Sequence, residues 1–469
     1  MFNPLRGCNS NLAQYSNTPA LHHSAWPDSR TITKRLVRRP AGDPKTVFLA
    51  NSVLAGNYKP DLQFIVRLLM DDQSQGPRWR ELDAIRGIAA CIVVLWHFYQ
   101  ALSPESFPTW IRCGMERTPL YLFISGTESV MLFFLLSGFV LSLPFHRHPD
   151  HLGYRAFVVK RIARIYIPYL AALLLAVAGN AFYHGLPLNS WFTETWGKPV
   201  DWTTFFQHVL FLGNYDYYAF NTAFWSLVYE MRISLIFPAL CLFVIRIGWS
   251  RSILLAIGFA ISSVFLRLGG IPSQTADTFK YVSFFVAGIL LAQFASRIRE
   301  FLSRIPNHLR VAGILLSLLG YALGHLFPSA IKDTLILIGA SGIIVAGITE
   351  PRLCQILRWP LFQFLGRISY SIYLLHGTIL FLLVYLFYQR VPLTWLFLPL
   401  LVFVLAASIL FYHLIERPSI QLGRQLAKRL QTREDSSRIG TTGGSFDPAG
   451  SNATILVEPG RDLNRDHVL

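Results

Sequence analysis

Charge is what this chain has little of. Only 14% of its 469 residues are Asp, Glu, Lys or Arg, against 53% hydrophobic. That is too little polar surface to coat the two or three soluble domains the length would otherwise suggest. Cysteine is scarce too. Cys8, Cys91, Cys113, Cys241 and Cys354 are scattered, odd in number and without a CxxC pair, so neither a disulfide framework nor a zinc site is expected. No Gly-rich phosphate loop, HExxH or GxSxG occurs, which removes the motif-based grounds for a P-loop NTPase, a zinc peptidase or a serine hydrolase. Neither a metal ion nor a bound cofactor is expected.

What the chain has instead is apolar length. Runs of about 18 residues or more recur through its middle, the signature of spanning helices, and mean hydropathy is +0.41. The expected fold class is all-α: a polytopic integral membrane protein with about ten transmembrane helices in one bundle, its partner the lipid bilayer. A net charge of +16 is then no sign of nucleic-acid binding. The spans are expected near 84–102, 121–145, 162–183, 223–245, 252–268, 278–296, 309–327, 332–349, 369–388 and 394–415.

Three regions follow. Residues 1–79 are basic, Pro-containing and without sustained periodicity, so they are expected to be disordered or an over-extended start, Met70 lying just before the first span. A mass-spectrometric N-terminus at Met1 would overturn the second reading. Residues 80–420 form the transmembrane domain. Residues 421–469 are a polar, then Gly/Ser/Thr-rich stretch, expected to be a disordered cytoplasmic tail. With the N-terminus inside, the inner loops hold fourteen Lys and Arg and the outer loops seven. That bias supports ten spans with both termini cytoplasmic. The long outer loop 184–222 is nearly free of Lys and Arg and rich in Trp191, Trp196, Trp202, Tyr215, Tyr217 and Tyr218. It reads as an interfacial aromatic belt, or else as a platform for sugar rings.

Polar groups at membrane depth are functional candidates by default, because lipid makes them costly. Arg86 and His97 are eleven residues apart on the first apolar helix. They share a face and are separated by about 16 Å along the axis. Lys160, Arg161 and Arg164 open the third span, and Arg161 and Arg164, at i and i+3, present a pair of forks suited to phosphates. Glu230, about 8 Å into the fourth span from outside, falls at a depth comparable with His97. A contact between them would orient the imidazole as a general base. Glu230 could instead pair with Arg232 or Arg86. Asp83, Ser137, Tyr370 and His376 are weaker candidates: Ser137-Gly138 also suits close helix packing, and His376 is either a second acid/base group or a packing residue.

Five blocks carry a resemblance. Leu82-Asp83-Ala84-Ile85-Arg86-Gly87 through His97, FFLLSGFVLS at 133–142, KRIARIYIP at 160–168, WSLVYE at 225–230 and GRISYSIYLLHG at 366–377 resemble, in order, those of the membrane-bound acyltransferase-3 family. The resemblance spans about 80–420. It implies an enzyme moving acetyl or other acyl groups from cytoplasmic acyl-CoA, as co-substrate, to hydroxyls of surface or exported saccharides or glycolipids. The implied location is the bacterial inner (plasma) membrane. His97 would be the essential catalytic residue, Arg86 part of the same motif, and Arg161 and Arg164 the pair expected at the CoA phosphates. The aromatic that often follows the WSL…E glutamate is replaced around Arg232–Ser234. The tail lacks the pattern of an SGNH-type esterase domain, so a fused second transfer stage is not expected. A transporter or flippase using the same charges as a substrate or proton pathway is the rival reading. Matching broken helices in two halves would favour it, and none is evident.

Overall fold

The computed structural model describes residues 79–102, 106–147, 153–185, 195–211, 214–387 and 389–442. Chain contacts divide the protein into Met1–Arg78 and Trp79–Leu469, and all that follows concerns the second unit. The expectation for residues 1–79 lies outside the described residues except at Trp79, whose ring packs edge-on against Phe139. Trp191 and residues 443–469 are outside them as well.

The described residues are helical, with no strand. In chain order they form α1 (Arg80–Ala101), α2 (Thr109–Arg117), α3 (Gly126–Arg147), α4 (Tyr154–Phe182), α5 (Trp202–Leu210), α6 (Phe224–Ile247) and α7 (Trp249–Leu268). There follow α8 (Ser273–Arg304), α9 (Asn307–Leu323), α10 (Ser329–Thr349), α11 (Pro351–Leu357), α12 (Pro360–Phe387), α13 (Phe397–Phe411) and α14 (Arg417–Thr442). Among the described residues, ten helices are long and apolar enough to cross a membrane, as many as the sequence suggests. The inner bundle is α1, α3, α4, α6, α8 and α12, while α7, α9 and α13 line its outside. Those three turn large apolar side chains outward, among them Leu254, Phe265, Leu316, Leu398 and Leu410. In water such a surface would aggregate; against lipid tails it is the ordinary solvent face.

Lipid supplies no hydrophobic force between helices, so the inner contacts rely on small residues that let backbones meet. A methyl on Gly366 of α12 would strike the backbone of Asp83 on α1, and one on Gly87 would strike Gly366 and Leu365. Gly138 of α3 sits on the Phe285 backbone of α8, and Gly288 on that of Leu135 and Phe139. Gly258 on α7 faces open space. Gly366→Val is therefore expected to lower the melting temperature in detergent by several degrees or more, through overpacking. Gly258→Ala should leave it unchanged or raise it. Thermal unfolding of the purified variants checks both.

Two further stretches pack against the bundle. Parts of the loop between α4 and α6 are drawn into the bundle rather than lying on its surface. Trp196 is fully buried, donates its indole N–H to Phe220 O at 2.9 Å and accepts from the Tyr385 hydroxyl at 2.9 Å. Its left-handed backbone (φ 57°) makes the corner. Asn221 donates to Leu374 O at 3.1 Å and to Thr378 Oγ1 at 2.9 Å, fastening the end of the loop to the middle of α12. Of the loop aromatics, Tyr215 and Tyr217 are core, whereas Trp202 and Tyr218 are exposed. The start of the tail is helical, α14 running from Arg417 to Thr442. Its reason is a stripe at helical spacing, Glu416, Ser419, Gly423 and Ala427, that packs along α4, with Gly423 against Ala163.

Candidate active site

His97 and His376 meet in the buried middle of the bundle, 5% and 1% exposed. They are brought together because α1 and α12 approach so closely at Gly87 and Gly366. His97 Nδ1 lies 2.8 Å from Val93 O and 3.2 Å from His376 Nε2, and His376 Nδ1 lies 3.2 Å from Ile372 O. Carbonyl oxygens only accept, which fixes the tautomers by assignment from the network. His376 keeps its proton on Nδ1 for Ile372, so its Nε2 is an acceptor. His97 then carries its proton on Nδ1, shared between Val93 O and His376. The lone pair of His97 is left on Nε2.

This arrangement corrects the expected partner. Glu230 is not the acid oriented on His97; its Oε1 accepts from Arg161 Nη2 at 2.7 Å and from Ser137 Oγ at 3.3 Å. Arg161 also donates through Nε and Nη2 to Ser234 Oγ, at 3.1 and 2.9 Å. The depth reckoning assumed that α6 starts at the membrane surface. Because the loop before it is folded into the bundle, α6 starts inside, and Glu230 arrives at the level of the first turns of α4. Arg232 belongs elsewhere, donating to the Tyr217 hydroxyl at 2.8 Å.

The i, i+3 pair on α4 is likewise split by this packing. Arg161 is buried against Glu230, while Lys160 and Arg164 are exposed. Arg86 lies 3.8 Å from Asp83, and Arg86 and Arg164 both stand within electrostatic reach of Glu230. Tyr370 donates to Ile165 O at 2.9 Å, tying α12 to α4. The structure thus gathers Asp83, Arg86, Ser137, Arg161, Arg164 and Glu230 into one polar layer. It places His97 with His376 in another, the two being joined along α1.

One member of the charged layer is absent from the sequence reading. Glu416 is 3% exposed, accepts from Ser371 Oγ at 2.5 Å, and lies within electrostatic reach of Arg164 and Arg86. It closes the wide helical turn Tyr412–Glu416 that joins α13 to α14. Such turns recur at functional sites. The available signal was a carboxylate directly after the last apolar run, in Leu414-Ile415-Glu416-Arg417-Pro418.

Comparison with known proteins agrees with this architecture. A protein of Bacillus subtilis (strain 168) named "Putative peptidoglycan O-acetyltransferase YrhL" is 24% identical over 324 residues, 62% of this chain and 50% of its own length. The chain therefore spans about half the length of that curated relative. No solved structure matches it. The acyltransferase domain family matches residues 79–413, which takes in the histidine pair and all the charged layer except Glu416. The chain belongs to the acyltransferase-3 family, and its described residues include ten helices long and apolar enough to cross a membrane.

Proposed function

We propose that the protein transfers an acyl group, acetyl in the first instance, from cytoplasmic acyl-CoA to a hydroxyl of a saccharide or glycolipid at the bacterial inner (plasma) membrane. The observation that carries this reading is the His97 Nε2 lone pair, set by the Ile372–His376–His97 hydrogen-bond chain inside an apolar bundle. A neutral imidazole so held is a general base. The relative's name points the acceptor towards peptidoglycan.

In the proposed step the acceptor hydroxyl gives its proton to His97 Nε2 while its oxygen attacks the thioester carbon. Collapse of the tetrahedral intermediate breaks the carbon–sulfur bond. The CoA thiolate takes the proton back from the imidazolium, so charge and atoms balance. An acyl-histidine formed on the same nitrogen is the variant in which transfer runs in two stages. Lys160 and Arg164 are exposed at the start of α4, and Arg424 and Lys428 are exposed on α14, which packs beside it. Together they suit the CoA phosphates at the face that loop charge assigns to the cytoplasm. Arg86 lies between that face and His97.

Purified protein in nanodiscs, supplied with radiolabelled acetyl-CoA and soluble glycan, is expected to release CoA and label the glycan. Failure with acetyl-CoA and with longer acyl-CoAs would overturn the reading in favour of transport. Lys160→Ala/Arg164→Ala is expected to raise KM for acetyl-CoA about tenfold, since charge-assisted phosphate bonds contribute about 1.5–3 kcal/mol each before solvent screening, and to change kcat little. An unchanged KM would remove these two residues from the donor site.

A further inference from the structure

Beside the first turns of α6 lies a second polar cluster that the reaction as described does not use. Trp225, Tyr229 and Tyr281 form a ring triangle, with centroids 5.9 Å apart for Trp225–Tyr229, 6.0 Å for Trp225–Tyr281 and 4.9 Å for Tyr229–Tyr281. Among the described residues, none pairs with the Tyr229 or Tyr281 hydroxyl or with the Trp225 indole N–H. Buried rings whose polar ends are unmatched among the described residues are the reverse of an ordinary core, where such groups find a partner.

The rim of this cluster is charged. Lys280 Nζ stands 4.8 Å over the Tyr281 ring, 3.2 Å from Asp277 and 3.9 Å from Asp333, and Arg267 also pairs with Asp277. The Arg232 guanidinium stands 5.7 Å over the Tyr229 ring, so the rim offers both cationic donors and carboxylate acceptors to a polyhydroxylated ligand. Tyr218, 42% exposed, lies within electrostatic reach of Tyr229, Tyr281 and Tyr373. Tyr373 lies nearby on α12: its hydroxyl shares a 2.6 Å hydrogen bond with Ser226, the chain neighbour of Trp225, and its ring is 5.8 Å from that of His376. Ser226 and Tyr373 thus lead from the start of α6 to the histidine pair.

We propose that this cluster is the acceptor subsite, and that it binds a pyranose unit of the glycan. The ring stacks on Trp225. Its hydroxyls or N-acetyl group bond the unmatched Tyr229, Tyr281 and Trp225 polar atoms, and Asp277 and Asp333, the carboxylates beside Lys280, bracket the rim. The inference rests on the acyl-transfer reading for its second half only, because binding of the sugar requires no donor.

The test uses the full chain in nanodiscs and chitotriose, an uncharged N-acetylhexosamine oligomer. Binding is followed by calorimetry without donor, and transfer with acetyl-CoA. Tyr229→Phe/Tyr281→Phe keeps both rings and removes both hydroxyls. It is expected to weaken chitotriose binding and to raise the acceptor KM about tenfold, with kcat within about twofold. Trp225→Ala should abolish binding, whereas Trp202→Ala, an exposed aromatic outside the cluster, should not alter it. Unchanged binding in the Tyr229→Phe/Tyr281→Phe protein, or equal loss in Trp202→Ala, overturns the subsite. Binding that responds to the variants as expected, with no acyl transfer by the wild type, keeps the subsite and overturns the transferase reading instead.

Discussion

His97→Ala is expected to lower kcat about 10³-fold or more while the protein still folds and still binds donor. General-base catalysis contributes about 10²–10⁴-fold, and a base with no bulk water beside it has no ready substitute. His376→Leu should lower kcat about 10²-fold, because it takes one acceptor from His97 Nδ1–H and so loosens the hold on the tautomer and on the ring's orientation. His376→Gln should recover part of that loss, since its amide oxygen can accept the same proton. The double variant His97→Ala/His376→Leu is expected to be no worse than His97→Ala alone, because residues that act as one unit are not additive. Steady-state kcat, with melting temperature as the folding control, decides the order. Full activity in His376→Leu would show that the hydrogen-bond chain does not set the base. Acid-quenched single turnovers add the covalent question: label retained on wild-type protein but absent from His97→Ala would establish an acyl-histidine.

The ten helices were legible because apolar length alone reports them. α1 also announced its own chemistry, an arginine and a histidine on one face of a run that lipid should have cleared of both. His376 was visible as a residue, but its function was not. The α1–α12 approach that joins it to His97 depends on Gly87 and Gly366, far apart in sequence. Glu230 was found and given the wrong neighbour, because reckoning depth along a chain assumes that each span begins at a membrane surface. Trp196 and Asn221 draw the preceding loop into the bundle, and nothing in local spacing reveals an insertion held by bonds to Tyr385 and Thr378. Glu416 escaped for a related reason. It follows the apolar run, where a carboxylate reads as the start of a solvated tail, yet α14 packs on α4 and carries it inside.

The Arg161–Glu230 pair is expected to give the largest stability effect in the protein. Glu230→Leu leaves the Arg161 guanidinium buried at 7% exposure with Ser234 as its hydrogen-bond acceptor among the described residues. Breaking a buried ion pair from one side costs about 3–5 kcal/mol, whereas replacing both partners with apolar groups of similar volume is often neutral. Arg161→Met alone should destabilise less, since a lone carboxyl can take up a proton. Arg161→Met/Glu230→Leu should return most of the lost melting temperature. The same double variant separates two roles that a single Arg161→Ala would confuse. If Arg161 only braces α4 against α6, the stabilised double variant keeps the wild-type KM for acetyl-CoA, and the donor phosphates belong to Lys160 and Arg164. If Arg161 leaves Glu230 to grip a phosphate when the donor arrives, KM rises even though stability has been restored. In that case Glu230 acts as the stand-in anion that holds the buried arginine ready between turnovers.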